Sequence, residues 1–207
     1  MPDFSIEKLF NYPVIGIDEV GRGPLAGPVV SSACIFFDYK IKKTELLFLD
    51  DSKKLSSKKI NKTFKKILKL KNENKLLYSL GFATVNEIDK LNILEATKIS
   101  MKRAVKKLNL KKANLIIDGK IDLQLDKFPS TSIIKGDQKS FSIATASIIA
   151  KIHRDRYMKL ISKNFPTYGW DRNVGYGTKS HINEIYKNGF TIYHRKSFEP
   201  IKSLIHK

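Results

Sequence analysis

Asp18 and Glu19 stand side by side after a short apolar run, Val14-Ile15-Gly16-Ile17, and Gly21-Arg22-Gly23-Pro24 follows just downstream. Asp118 closes Leu115-Ile116-Ile117, and Asp137 comes after Ile133-Ile134-Lys135-Gly136. Ionised carboxyls beside a core are costly unless something positive compensates them. A divalent metal is the simplest compensating group. Hard cations such as Mg²⁺ or Mn²⁺ take oxygen ligands and keep part of their water shell. Two such ions about 3.5–4 Å apart can activate a water and stabilise the leaving oxygen in phosphodiester cleavage. With one cysteine and four histidines, a sulfur-rich or histidine-rich zinc site is a poor fit. Taken singly, Asp137, Asp50 or Asp51 reads equally well as a turn former or helix cap. The Asp18-Glu19 pair ahead of Gly-Arg-Gly resists that reading, and the four acids together point to a metal-dependent enzyme acting on nucleic acid.

The turn has chemistry of its own. Without a Cβ, Gly21 and Gly23 let the backbone approach a ligand and present amides to it. Arg22 adds a phosphate-seeking fork. The 2′-hydroxyl is the local handle that tells RNA from DNA, and a close-approach turn beside a metal site could read it. A tight hairpin turn with an incidental arginine is the plain alternative.

Net charge is +19, from 39 Lys and Arg against 20 Asp and Glu. Such a field attracts polyanions. Lysine, asparagine and isoleucine richness is also what AT-rich coding produces, so charge alone supports nucleic-acid binding weakly. A chain of 207 residues with 42% hydrophobic content supports one substantial core. The single cysteine, Cys34, excludes an intrachain disulfide and reads as core filler. No secretory signal or membrane-length apolar run stands out, so a cytoplasmic protein with no membrane partner is expected.

These acids need rigid elements to hold them. Strands are expected at Val14–Asp18, Val29–Phe37, Leu76–Ala83, Leu115–Asp118 and Ser132–Lys135, the first two as a hairpin. Helices are expected from Ser56 or Ser57 to about Lys71, over Val85–Leu91, and from an Asn92 cap to Leu108. The longest is expected from Ser140 to about Asn164, apolar nearly all round in its first half and therefore central and buried. Ser180–Asn188 is expected to be the last helix. This order describes an α/β fold, a mixed sheet with helices on its faces, as one domain with a C-terminal helical appendage from about residue 166 to 207. Neighbouring residues on a strand face opposite ways, so Asp18 and Glu19 can share a site only if the strand ends there and turns.

With these residues in view, the chain resembles the ribonuclease HII family. The resemblance rests on Gly16 to Val29, Asp51-Ser52-Lys53-Lys54-Leu55-Ser56, Ile88 to Leu94, Asp118-Gly119, Lys135 to Ser140 with Ser142 to Lys151, Gly175-Tyr176-Gly177-Thr178, and His194-Arg195-Lys196-Ser197-Phe198. It implies an RNase H-like fold with a small helical C-terminal part. It implies endonucleolytic hydrolysis of RNA in RNA–DNA hybrids and nicking on the 5′ side of single ribonucleotides embedded in duplex DNA, with Mg²⁺ or Mn²⁺, two ions, leaving 5′-phosphate and 3′-hydroxyl ends. By motif, Asp18, Glu19, Asp118 and Asp137 match the metal-binding acids, and Gly21, Arg22 and Gly23 match the turn that senses the 2′-hydroxyl. Tyr176 matches a tyrosine that stacks on the next deoxynucleotide sugar; read from its residues alone it is a loop aromatic packing on Trp170. Lys53 is a phosphate-contact candidate or simply a surface lysine. The sister family, ribonuclease HIII, fits less well, because its fourth acid is typically glutamate and here the position is Asp137. Val174 departs from the lysine often found before Gly-Tyr-Gly, which puts one backbone contact in question. Lys151, Arg154 and Arg156 are candidates to assist substrate binding, with His153 read as a helix-surface residue.

A monomer acting on hybrids and ribonucleotide-containing duplex DNA is the leading reading. A non-catalytic nucleic-acid-binding protein would explain the charge but not four acids at strand and helix ends. Another RNase H-like nuclease, such as a junction resolvase, is the third reading, and fold alone does not separate it from the first.

Overall fold

The computed structural model describes residues 1–10, 13–46, 49 and 57–205. Five strands, β1 (Val14–Val20), β2 (Val29–Phe36), β3 (Leu76–Ala83), β4 (Asn114–Asp118) and β5 (Ser130–Ile133), form one sheet in the order β3-β2-β1-β4-β5. β1, β2 and β3 pair antiparallel, whereas β1–β4 and β4–β5 are parallel. The helices are α1 (Lys43–Leu46), α2 (Ser57–Asn72), α3 (Val85–Leu91), α4 (Ile93–Lys107), α5 (Phe141–Ser162), α6 (Trp170–Asn173), α7 (Lys179–Asn188) and α8 (Ile201–Ile205).

Helices cover both faces of the sheet, which is why its central strands read as continuous apolar runs. Ile15, Ile17, Leu115 and Ile117 pack on Met101, Ala104 and Val105 of α4. Val14 and Ile116, one residue out of phase, pack on Ile143 of α5. Strand alternation therefore turns positions 14, 16 and 18 of β1, and 116 and 118 of β4, toward α5. That parity sends Asp18 and Asp118 to the same side.

Gly16 is where β1 and α5 touch. A Cβ on it would lie 2.4 Å from the Ser142 carbonyl carbon and 2.5 Å from the Ile143 nitrogen. A strand glycine of this kind marks close backbone approach. The first half of α5 is buried nearly all round, as its sequence implied, because the sheet, α2 and the N-terminal segment surround it. Ser140 caps the helix by accepting a hydrogen bond from the Ile143 amide at 3.1 Å.

Some boundaries differ from expectation. β5 begins and ends two residues early, because Lys135 takes a left-handed conformation (φ 53°) that no strand continues through. α8 follows the helix expected to be last. Residues 1–10 lie against the start of α5. The Asp3 amide donates to the Lys139 carbonyl at 3.1 Å, and buried Glu7 accepts from Ser140 Oγ at 2.6 Å and the Ser142 amide at 3.0 Å. Burial raises the Glu7 carboxyl pKa above its ordinary value. Among the described residues, no helix is long and apolar enough to cross a membrane.

Candidate active site

β1 and β4 run in parallel register through Ile17 and Ile117, so Asp18 and Asp118 follow on adjacent strands and face α5 together. Asp118 Oδ1 accepts the Gly136 amide at 2.7 Å. That bond ties the end of β4 to the tight turn Gly136–Gln138, which carries Asp137, itself 3% exposed. Acids 119 residues apart in sequence are thus brought to one end of the sheet by strand pairing and one amide.

Glu19 arrives differently from the expected turn. β1 does not end at Asp18; it continues to Val20, with Glu19 paired to Ser31 of β2. β4, however, stops at Asp118, which leaves the other edge of β1 open from this point. The Glu19 carboxyl sits within Coulombic range of Asp118.

Electrostatics confirm the crowding of these three groups. The Asp18 carboxyl is pushed well above the usual carboxylate range, first by burial, then by Glu19 and then by Asp118. Hydrogen bonds from Ser147 and from the Glu19 amide (2.7 Å) oppose that rise only in part. Burial also raises Glu19; Arg22, whose Nη1 stands 3.3 Å from Glu19 Oε1, pulls it down, and Asp118 raises it again. A positive charge beside Asp18 and Glu19 would favour their ionised forms. The donor set is oxygen only, which suits a hard divalent ion. Among the described residues, no three His, Cys, Asp or Glu side chains are drawn together closely enough to hold a metal by themselves. Mg²⁺ rarely needs such a cage, since it binds through one or two carboxylates, its waters and substrate phosphates. The residues therefore fit an open divalent site.

The Gly21–Gly23 turn borders this cluster. Gly21 has φ +94°, a conformation that L side chains rarely adopt, and a Cβ there would fall 2.1 Å from Arg154 Nε. A Cβ on Gly23 would lie 3.7 Å from the Tyr176 ring. Tyr176 is 44% exposed. Trp170 packs instead on Phe165, Tyr168, Tyr193, His181 and His194, so the Tyr176–Trp170 contact read from the sequence is not what forms. Lys53, with its neighbours Asp50 and Asp51, lies outside the described residues.

The basic stretch of α5 divides. Arg154 is fully buried, donating to the carbonyls of Pro28 (3.0 Å), Ala26 (3.0 Å) and Val174 (2.8 Å), so it is a structural staple and not a free substrate contact. Val174 itself holds a left-handed conformation (φ 45°) and offers its carbonyl to Arg154. Lys151 pairs with Asp155 at 2.9 Å, and the Arg156 guanidinium lies over the Phe64 ring. His153 is no helix-surface residue either; its ring packs edge-on against Phe64, and burial lowers its pKa.

Sequence reading missed the groups behind the site. Arg195, also fully buried, donates to the carbonyls of Gly21, Arg22 and Gly27. Burial, then the neighbouring Arg154, brings its pKa down to about 9, which leaves it charged at neutral pH. The Trp170 indole donates to His181 Nε2 at 3.0 Å, His194 Nε2 stands 3.1 Å from the same nitrogen, and His181 Nδ1 lies 2.8 Å from the Tyr176 carbonyl oxygen. The Thr191 amide donates to His194 Nδ1 at 2.9 Å. The geometry fits both rings neutral, His181 protonated on Nδ1 and His194 on Nε2, with the Trp170 and His194 N–H groups sharing the one lone pair of His181 Nε2. Loop residues far apart in sequence give no periodic signal of burial, so His194 and Arg195 were matched by motif without a structural role.

The family model described as ribonuclease HII matches residues 15–201. A curated relative from Staphylococcus saprophyticus, named ribonuclease HII, is 48% identical over 208 aligned residues, covering 99% of this chain and 77% of its own. The crystal structure of ribonuclease H2 from Pyrococcus horikoshii superposes with a TM-score of 0.75 at 24% identity, over 93% of this chain and 97% of that one. Bst-RNase HIII in complex with Mn²⁺ superposes with a TM-score of 0.66 at 20% identity, over 93% of this chain and 69% of that one. Both likenesses identify the mixed five-stranded sheet as an RNase H-type fold.

Proposed function

The chain belongs to the ribonuclease HII family and is a ribonuclease H-type hydrolase of RNA in RNA–DNA hybrids, and from that premise we propose that it also nicks duplex DNA on the 5′ side of single embedded ribonucleotides. Asp18, Glu19, Asp118 and Asp137 hold Mg²⁺ or Mn²⁺ in this reading, and two bound ions supply an activated water and support for the departing 3′-oxygen, leaving 5′-phosphate and 3′-hydroxyl ends. Asp18 and Asp118 present oxygens from adjacent strand ends, and the Gly136 amide orients the Asp118 carboxylate. Arg22, beside Glu19, faces the scissile strand as a phosphate-binding fork. The amides of the Gly21–Gly23 turn meet the 2′-hydroxyl, and Tyr176 stacks on the sugar that follows. Duplex shape, phosphates and the 2′-hydroxyl are read, not base sequence.

The observation that carries this reading is the placement of the Tyr176 ring beside Gly23, at the sheet end where Asp18, Glu19 and Asp118 crowd together. A non-catalytic binding protein has no use for carboxyls this crowded in a chain of net charge +19. The test is a labelled DNA duplex carrying one ribonucleotide, incubated with Mg²⁺, with Mn²⁺ or with EDTA. A metal-dependent nick 5′ to the ribonucleotide, bearing 5′-phosphate and 3′-hydroxyl ends, is expected. Equal cutting of an all-DNA duplex, or binding without a nick under either metal, refutes the proposal.

A further inference from the structure

Two stretches remain without a role in the chemistry above: 88–94, around α3, and 194–198 near the C-terminus. They meet in the fold. The Asp89 carboxylate accepts the Lys196 amide (3.0 Å), the Ser197 amide (2.9 Å) and Ser197 Oγ (2.6 Å), across more than a hundred residues of chain. Arg195 lies immediately before these two residues. Its own amide donates to the Leu25 carbonyl at 2.8 Å, and its guanidinium lies over the Phe198 ring, 5.0 Å from the centroid. From there the guanidinium reaches the carbonyls of Gly21, Arg22 (2.7 Å) and Gly27 (2.9 and 3.1 Å).

The geometry of the peptide group gives this contact a consequence. In a planar trans peptide the C=O and the next N–H point in opposite directions. A guanidinium that draws in the Gly21 and Arg22 carbonyls therefore turns the Arg22 and Gly23 amides away from itself. Among the described residues, no backbone–backbone hydrogen bond outside the regular elements uses either amide. The Tyr176 ring lies beside Gly23, 3.7 Å from where a Cβ on that glycine would be. The cation behind the two peptides also polarises them, which strengthens the N–H groups as donors. Arg154 holds the other end of the loop through Ala26 and Pro28, and Arg154 also takes the Val174 carbonyl, two residues before Tyr176.

We propose that Arg195, anchored by Asp89, is a positioning residue that aims the Arg22 and Gly23 amides at the ribose, so that preference for a ribonucleotide over a deoxyribonucleotide depends on a brace outside the substrate's reach. The proposal rests on the reading of the turn as the 2′-hydroxyl sensor. Asp89 is the more accessible end of the brace, and its removal takes away the three hydrogen bonds that fix the chain directly after Arg195 while leaving the guanidinium chemically intact but no longer anchored.

The test compares the full chain with its Arg195→Lys and Asp89→Ala variants. Affinities for two fluorescent duplexes, one with a single ribonucleotide and one all-DNA, are measured in EDTA so that no turnover intervenes, with thermal unfolding in parallel. The wild-type chain is expected to prefer the ribonucleotide duplex. In both variants the ratio of the two affinities should fall about fivefold or more, while all-DNA affinity stays within about twofold, because one aimed hydrogen bond is lost and the phosphate contacts are kept. If Arg195→Lys does not fold, Asp89→Ala decides. Equal weakening on both duplexes, or an unchanged ratio in folded Asp89→Ala, overturns the brace. A wild-type chain with no preference instead overturns the reading of the turn, which separates the two failures.

Discussion

Gly16→Ala is the most informative single change, because it touches no acid and yet acts on their spacing. An added methyl carbon would sit 2.4 Å from the Ser142 carbonyl carbon and 2.5 Å from both the Ile143 nitrogen and Ser142 Cβ. Ordinary carbon contacts begin near 3.5 Å, so α5 must retreat from β1 by about 1 Å. Two of these obstacles are helix backbone, which cannot swing aside as a side chain does. Overpacking of this kind costs about 1–3 kcal/mol. For a chain of this length that lowers the unfolding temperature by roughly 2–12 °C. Asp18 lies two residues along the same strand face, its Ser147 partner lies on α5, and Asp137 lies just before that helix. A 1 Å shift between catalytic groups can cost about a hundredfold in rate. The assay is hybrid cleavage under Mg²⁺ well below the melting range, with circular dichroism melting of the same preparation. Loss of activity about a hundredfold in protein that is fully folded is expected. Activity within about twofold of the parent, with an unchanged melting temperature, would refute the claim that β1–α5 contact sets the site.

Asp18→Asn should reduce hybrid cleavage by about 10²–10³-fold, on the scale of losing a group that stabilises the transition state. The same variant should melt no lower than the parent in EDTA at neutral pH. The fold raises the Asp18 pKa, so its ionised form is disfavoured relative to the unfolded chain, and asparagine removes that cost; a large drop in melting temperature would contradict this. The paired histidines contribute to stability against acid. Burial, then His181, depresses the His194 pKa from 6.5 to about 3, so the unfolded chain binds the proton first and stability present above pH 6.5 is lost on acidification. The slope is about 1.4 kcal/mol per pH unit through that window. Denaturant titrations from pH 7 to pH 5 should show a shallower decline for His194→Gln than for the parent, and parallel declines would rule the histidine out.

Much of the chain's organisation follows from local pattern. The apolar runs at Val14, Val29, Leu76 and Leu115, the capped helices over Val85–Leu91 and after Asn92, and the buried first half of α5 all form where their periodicity and caps place them. The four acids were visible because carboxyls at the ends of apolar runs are conspicuous. β5 was placed two residues late, because nothing local announces that Lys135 will turn left-handed. The plain reading of Tyr176 as packing on Trp170 and the reading of His153 as a helix-surface residue failed for the same reason: a loop aromatic or a helix histidine carries no record of what packs over it.

Residue type and period are local properties, so the amino-acid string on its own placed the five strands and the longer helices in order, and its motif blocks pointed to the family. What brings Asp18 beside Asp118 is a parallel pairing between strands a hundred residues apart, and what keeps Glu19 within reach is that β4 stops while β1 continues. The guanidiniums of Arg154 and Arg195 became props for the backbone only because the folded chain surrounds them with carbonyls and leaves no water to compete. Such relations exist only between distant segments, so tertiary packing alone could decide them.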